Sequence, residues 1–228
     1  MKLSLIQRGK GKNLLFLHGY LASKECFASE IDYFSNRYRV TALDFPGFGN
    51  AEPLIAPWGV EEYANWLKAA MKELSLNAPL VIAHSFGGRV AIKANCFEKM
   101  LLTGCAGVVS HGLSYHVKVK TYRIVKRFSP KLAKSFGSAE YRTLSPLMRE
   151  SYKKIVNEDL RKDAKRIDCP VLYVYGRQDS TTPPSLGKKL ARATRGSLLA
   201  LIEGGHFAYL DNPLSFRLLA EEFFTNRS

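Results

Sequence analysis

Residues 79–95, Pro-Leu-Val-Ile-Ala-His-Ser-Phe-Gly-Gly-Arg-Val-Ala-Ile-Lys-Ala-Asn, constrain the fold more than any other stretch of the chain. Pro79 opens a short apolar run, Leu80 to Ala83, which reads as a strand buried on both faces. The run stops at His84-Ser85-Phe86-Gly87-Gly88, after which Val90, Ala91, Ile92 and Ala94 suit the buried side of a helix. Strand, abrupt turn and helix together set a serine on a sharp corner, its hydroxyl projecting from the carboxyl edge of a parallel sheet. Backbone strain of this kind costs roughly 1–3 kcal/mol. It demands small neighbours, because the residues two before and two after the serine approach one another. Gly87 meets that demand fully and Ala83 less well. A buried strand that merely ends in Ser-x-Gly-Gly is the plain alternative, so Ser85 needs a base and an acid to carry chemistry.

Residues 2–7 and 13–17 suggest two short strands around a Gly9-Lys10-Gly11-Lys12 turn. The second runs into His18-Gly19-Tyr20-Leu21, and a helix is expected from Ser23 to about Phe34, with Phe27, Ile31 and Phe34 at helical spacing. Arg39–Leu43 reads as a strand ending in Asp44-Phe45-Pro46-Gly47-Phe48-Gly49, and residues 58–74 return to helical periodicity. After the Ser85 unit another buried strand is expected from Met100 to Val109. Alternation of this kind means a parallel sheet covered by helices on both sides.

The alternation breaks after Ser110. Residues 113–166 show helical stretches separated by Ser129-Pro130, Gly137 and Ser145-Pro146, with no strand. They read as an inserted helical lid, leaving 1–112 and 167–228 as the core. The sheet resumes at Pro170–Gly176, a helix follows near Pro184–Ala193, and Ser197–Ile202 is the last strand. A final helix is expected from Leu214 to Phe224.

An alcohol needs a neighbouring base to attack a carbonyl at neutral pH, and imidazole has the suitable pKa. The imidazole in turn needs a carboxylate to fix its tautomer and steady its positive charge. In an open parallel sheet these groups come from loops at the carboxyl ends of strands. Asp179 lies three residues beyond Gly176, and His206 follows Glu203-Gly204-Gly205 after the last strand. His18 and His84 flank the site, and His111 and His116 begin the lid. Asp44 also ends a strand and competes with Asp179, whereas Asp168 and Asp211 read as ordinary caps.

The order Ser85, Asp179, His206 is that of the α/β-hydrolase fold. Over nearly its whole length the chain resembles an α/β-hydrolase of the serine-nucleophile, esterase-like branch. The resemblance is carried by His18-Gly19, Asp44-Phe45-Pro46-Gly47-Phe48-Gly49, His84-Ser85-Phe86-Gly87-Gly88, Tyr175-Gly176-Arg177-Gln178-Asp179 and Gly204-Gly205-His206-Phe207. It implies Ser85 as nucleophile, His206 as general base and then acid, and Asp179 as the orienting carboxylate. One oxyanion donor should be the backbone N–H of Phe86, the residue after the nucleophile. The resemblance implies Tyr20 for the other, with Leu21 one residue away. Two departures stand out: Ala83 replaces the usual glycine, and the N-terminus is one strand short. The expected sheet therefore has about seven strands.

The fold leaves several functions open. The leading one is a serine hydrolase acting on a small or medium carboxylic ester. Carbon–carbon bond hydrolysis or a lyase step on the same three residues is the alternative. Another class is a binding protein whose basic lid engages anionic lipid or nucleic acid while the triad is idle. The charge bears on this: the chain carries a net +14, and residues 113–166 hold 15 Lys or Arg against 5 Asp or Glu. Such a block attracts anionic substrates, membranes or nucleic acid, or is simply the solvated face of helices. It contains no recognised nucleic-acid motif. No run approaches the roughly 18–20 apolar residues of a membrane span. The N-terminus lacks a secretory pattern. The four cysteines, Cys26, Cys96, Cys105 and Cys169, are scattered and read as reduced residues of a cytoplasmic protein. No cofactor is expected, because no histidine pair has metal spacing and Gly47-x-Gly49 lacks the remainder of a dinucleotide site.

Overall fold

The computed structural model describes residues 1–109 and 144–226. Strands β1 (Leu5–Arg8), β2 (Lys12–Leu17), β3 (Tyr38–Leu43), β4 (Leu80–His84), β5 (Lys99–Thr103), β6 (Val171–Gly176) and β7 (Leu198–Ile202) form one sheet. Their order is β1-β3-β2-β4-β5-β6-β7. Only β1 runs antiparallel, against β3. The seven strands and mostly parallel pairing agree with the expectation from sequence.

The described helices are α1 (Ala28–Phe34), α2 (Val60–Glu73), α3 (Phe86–Ala94), α4 (Pro146–Asn157), α5 (Arg161–Ala164), α6 (Pro184–Ala193), α7 (Ala208–Asp211) and α8 (Pro213–Thr225). The inner strands are mostly apolar because each alternate side chain meets a different helical layer. Leu15, Leu17, Val81, Ala83, Leu102 and Tyr173 pack towards α2, α3 and α6. Leu14, Phe16, Leu80, Ile82, Leu101 and Val174 pack the other way, towards α1 and α8. Phe16 sits 5.0 Å from Phe27 and 6.1 Å from Phe34, ring centre to ring centre. Burial of one such side chain stabilises by about 1.5–3 kcal/mol.

Three elements differ from expectation. The first helix is split: Lys24–Phe27 is a 3₁₀ turn before α1 begins at Ala28. The first strand starts at Leu5, where pairing with Leu43 begins, rather than at residue 2. Strand β5 stops at Thr103 rather than Val109, because Gly104 turns to a φ of +51°. A Cβ there would lie 3.0 Å from the His206 carbonyl oxygen, so the turn requires glycine.

Register places the functional loops on one edge. Leu17 pairs with Ala83, His84 with Thr103, and Gly176 with Ile202. The loops that follow β2, β4, β5, β6 and β7 therefore emerge together. Of the segment 113–166, residues 144–166 carry α4 and α5; residues 113–143, including His116, and also His111 lie outside the described residues. No helix among the described residues is long and apolar enough to cross a membrane. All four cysteines are free.

Candidate active site

Ser85 stands between the end of β4 and the first turn of α3 with φ +49° and ψ −106°. This is a left-handed, strained setting for a residue with a Cβ. Hydrogen bonds hold it on both sides. Its N–H donates to Thr103 O at 3.0 Å, and its carbonyl accepts from Gly88, Arg89 and Ala106 N–H at 3.1, 3.4 and 3.4 Å. The small residues around the corner answer to a different neighbour than the sequence suggested. A Cβ on Gly87 would lie 2.3 Å from Leu17 O and 2.8 Å from His18 O. The end of β2, rather than Ala83, thus sets the demand for glycine at 87.

His206 follows β7 in a loop, and its Nδ1 lies 2.9 Å from Asp179 Oδ2. A carboxylate oxygen only accepts, so Nδ1 carries the proton and Nε2 is left basic. Asp179, 3 % exposed, accepts at Oδ1 from the Thr181 and Thr182 N–H groups, both at 2.8 Å. The Thr182 hydroxyl lies 2.7 Å from Asp179 Oδ2, 3.0 Å from Gly104 O and 3.1 Å from His206 Nδ1. Burial pushes the Asp179 carboxyl up, but the bonds from His206 and from Thr182 outweigh it and leave its pKa below the usual value.

Ser85 and His206 line one cavity of about 360 Å³, together with Gly19, Tyr20, Phe86 and Arg89. A larger concavity of about 800 Å³, between β7 and α8, includes neither residue. Phe86 opens α3, so its N–H has no acceptor within the helix and is available at the cavity. Gly19 presses against the corner: a Cβ there would lie 2.8 Å from His84 Nδ1 and 3.6 Å from the Ser85 Cβ. Tyr20 turns its hydroxyl away, donating to Met148 O at 3.0 Å, while its ring packs edge-on against Phe86 at 5.6 Å. Leu21 follows at φ +60°.

The competing residues have other tasks. Asp44 is fully buried and accepts from Ser4 Oγ (2.7 Å), Lys24 N–H (2.8 Å), Lys24 Nζ (2.7 Å) and Asn50 N–H (2.9 Å). His18 Nε2 accepts from Phe45 N–H at 3.0 Å, so its Nδ1 donates to Gly19 O at 2.7 Å. His84 donates from Nε2 to His206 O at 3.0 Å. Burial, aided by the neighbouring His206, pushes the His84 pKa down to about 3, so the ring is neutral.

Sequence reasoning missed four contributors. Thr182 joins Asp179 and His206, and the Asp-Ser-Thr-Thr run was its available signal, since such residues fold back on a preceding carboxylate. Asp211 is more than a cap: its Oδ2 accepts from Gly205 N–H at 2.7 Å and so braces the turn before His206. Gly104 leaves room for that histidine. Arg89, one helical turn after Ser85, reaches the cavity wall.

The model of the alpha/beta hydrolase family matches residues 14–216. The chain is 26% identical over 244 residues to the pimeloyl-[acyl-carrier protein] methyl ester esterase of Neisseria meningitidis serogroup B, covering 93% of this chain and 92% of that protein. It is 22% identical over 233 residues to the (E)-2-((N-methylformamido)methylene)succinate hydrolase of Acinetobacter baylyi, covering 91% and 88%. Its fold is similar to that of an esterase from Exiguobacterium antarcticum, with a TM-score of 0.79 at 20% identity over 98% of this chain and 96% of the other.

Proposed function

Because the chain belongs to the alpha/beta hydrolase family, a family of enzymes, we propose that it hydrolyses a small or medium carboxylic ester through an acyl-enzyme on Ser85. One observation carries the reading. The strained serine opens onto the same cavity as His206, whose Nδ1 is committed to a buried carboxylate 2.9 Å away. With Nδ1 protonated, Nε2 takes the proton from the Ser85 hydroxyl as Oγ attacks the ester carbonyl. Asp179 steadies the imidazolium formed. The developing oxyanion is met by the N–H groups of Phe86 and Tyr20, each worth about 3–4 kcal/mol in such a site. His206 then protonates the departing alcohol. Water, deprotonated by the same nitrogen, releases the acid and restores Ser85.

The esterase names of two similar proteins support an ester as substrate. Residues 144–156 take the covering part: Leu144, Tyr152, Ile155 and Val156 line the cavity wall. A fluorophosphonate probe should label the protein and fail to label Ser85→Ala, and short-chain nitrophenyl esters should be cleaved only by the former. A wild-type protein that stays unlabelled and cleaves no ester refutes the proposal. Diketone substrates in the same panel separate carbon–carbon cleavage on the same residues from ester hydrolysis.

A further inference from the structure

Arg89 sits on α3, four residues beyond the corner that carries Ser85. It is 5 % exposed and lines the Ser85 cavity. Its Nη1 donates to Glu158 O at 2.8 Å, the carbonyl just beyond the end of α4. Among the described residues no carboxylate stands within ion-pair distance of it. The two acids nearby are engaged elsewhere: Glu158 with Lys93 at 2.6 Å, and Asp159 with Arg161 at 2.9 Å and Val109 N–H at 3.2 Å.

A guanidinium carries five N–H donors in a planar fork and stays charged in proteins. Tying α3 to the end of α4 needs one neutral donor. It explains neither the charge nor the fork. A buried charge is retained at a cost unless an opposite charge meets it, and the cavity that Arg89 lines is walled largely by neutral side chains, among them Leu144, Tyr152, Ile155, Val156 and Leu186. The missing anion therefore has to enter with the ligand.

We propose that Arg89 is a carboxylate subsite of the Ser85 cavity, and that the ester cleaved there is the half-ester of a short dicarboxylic acid. The inference rests on the hydrolytic reading of Ser85. The fork binds the free carboxylate while the ester carbonyl lies over the serine. A short spacer keeps both groups inside a cavity of about 360 Å³. Water adds across the acyl C–O bond, giving the dicarboxylate and the alcohol.

The test compares kcat/KM for monomethyl glutarate with that for dimethyl glutarate. Wild-type protein should prefer the half-ester at least tenfold. In Arg89→Gln, which keeps a donor for the Glu158 carbonyl, that quotient should fall by about tenfold to a hundredfold. Arg89→Lys, with the charge but not the fork, should recover part of it. A second measurement needs no turnover: glutarate, and not neutral glutaramide, should raise the Tm of Ser85→Ala, and the rise should vanish when Arg89→Gln is added. An unchanged quotient, or a glutarate effect indifferent to Arg89, overturns the subsite. If no ester is cleaved and fluorophosphonate does not label Ser85, the hydrolytic reading has failed, and the glutarate titration alone decides the subsite.

Discussion

Replacing Asp179 by asparagine should trap His206 in the wrong tautomer. The geometry dictates how the new amide would lie. Asp179 Oδ1 accepts two backbone N–H groups, from Thr181 and Thr182, both at 2.8 Å. Only the amide oxygen can take that place, so the NH₂ group is forced to the Oδ2 position facing His206 Nδ1. An NH₂ donor requires Nδ1 to accept, which moves the ring proton to Nε2, the atom that receives the proton of Ser85 in the proposed reaction. The imidazolium also loses its counter-charge. At the 2.9 Å separation and an effective dielectric constant near 20, that attraction is about 6 kcal/mol. Not all of it is specific to the transition state, so kcat should fall by about 10³–10⁴. The fold should survive, since the volume and both Oδ1 bonds are kept. Steady-state turnover of a nitrophenyl ester and the rate of fluorophosphonate labelling, read beside the Tm, check this. A folded Asp179→Asn protein within tenfold of wild type refutes the reasoning. If Asp44→Asn lost the turnover instead, the orienting role would pass to Asp44.

Gly87→Ala should destabilise the protein by about 3 kcal/mol or more, because the new methyl would meet the Leu17 carbonyl oxygen at 2.3 Å; the urea midpoint measures it. Asp211→Ala should lower kcat about tenfold with little change in Tm, since it frees the Gly205 N–H that braces the turn before His206; a drop in Tm without loss of kcat would make the brace merely structural. Asp44 and Asp179 both have pKa values below the usual carboxylate range. In each, burial raises the value and hydrogen bonds outweigh it: those from Lys24 first at Asp44, and those from His206 and Thr182 at Asp179. Their contribution is therefore full above the unfolded value of about 3.9 and lost as pH falls through the lower folded values. The Tm should drop more steeply below about pH 4 in wild type than in Asp44→Asn.

Local grammar made the architecture legible. Leu80–Ala83 is apolar on both faces because β4 lies between two helical layers, and a residue run of that kind has few other uses. Residues 58–74 showed α2 through the same spacing that buries Val60, Tyr63, Leu67 and Met71. The alternation of such units implied the parallel sheet, and parallel strands deliver their loops to one edge. That is why Ser85, Asp179 and His206 were readable as candidates before any geometry was known. The limits were local as well: Met100–Val109 is apolar enough for a longer strand, and only Gly104, pressed by the His206 loop from more than a hundred residues away, ends β5 early.

The unread residues share a cause. Asp211, Gly104 and Arg89 each act through a partner that sequence pattern does not join to them, whereas Thr182 folds back on Asp179 only three residues before it. Arg89 illustrates the difficulty. At its position in α3 an arginine is an ordinary helix former, and nothing nearby in sequence distinguishes an outward cation from a buried one. Burial comes from α4 closing over it, with Glu158 some seventy residues later accepting a hydrogen bond from its guanidinium. The same closure removes water from the guanidinium and leaves it facing the cavity of Ser85. A substrate preference of this sort is a property of the contact between two elements: α3 carries the charge just beyond the serine corner, and α4 makes the charge worth pairing. Replacing the α4 wall while keeping Arg89 should therefore relax the preference for an anionic acyl group, because a solvated guanidinium discriminates little between a carboxylate and water.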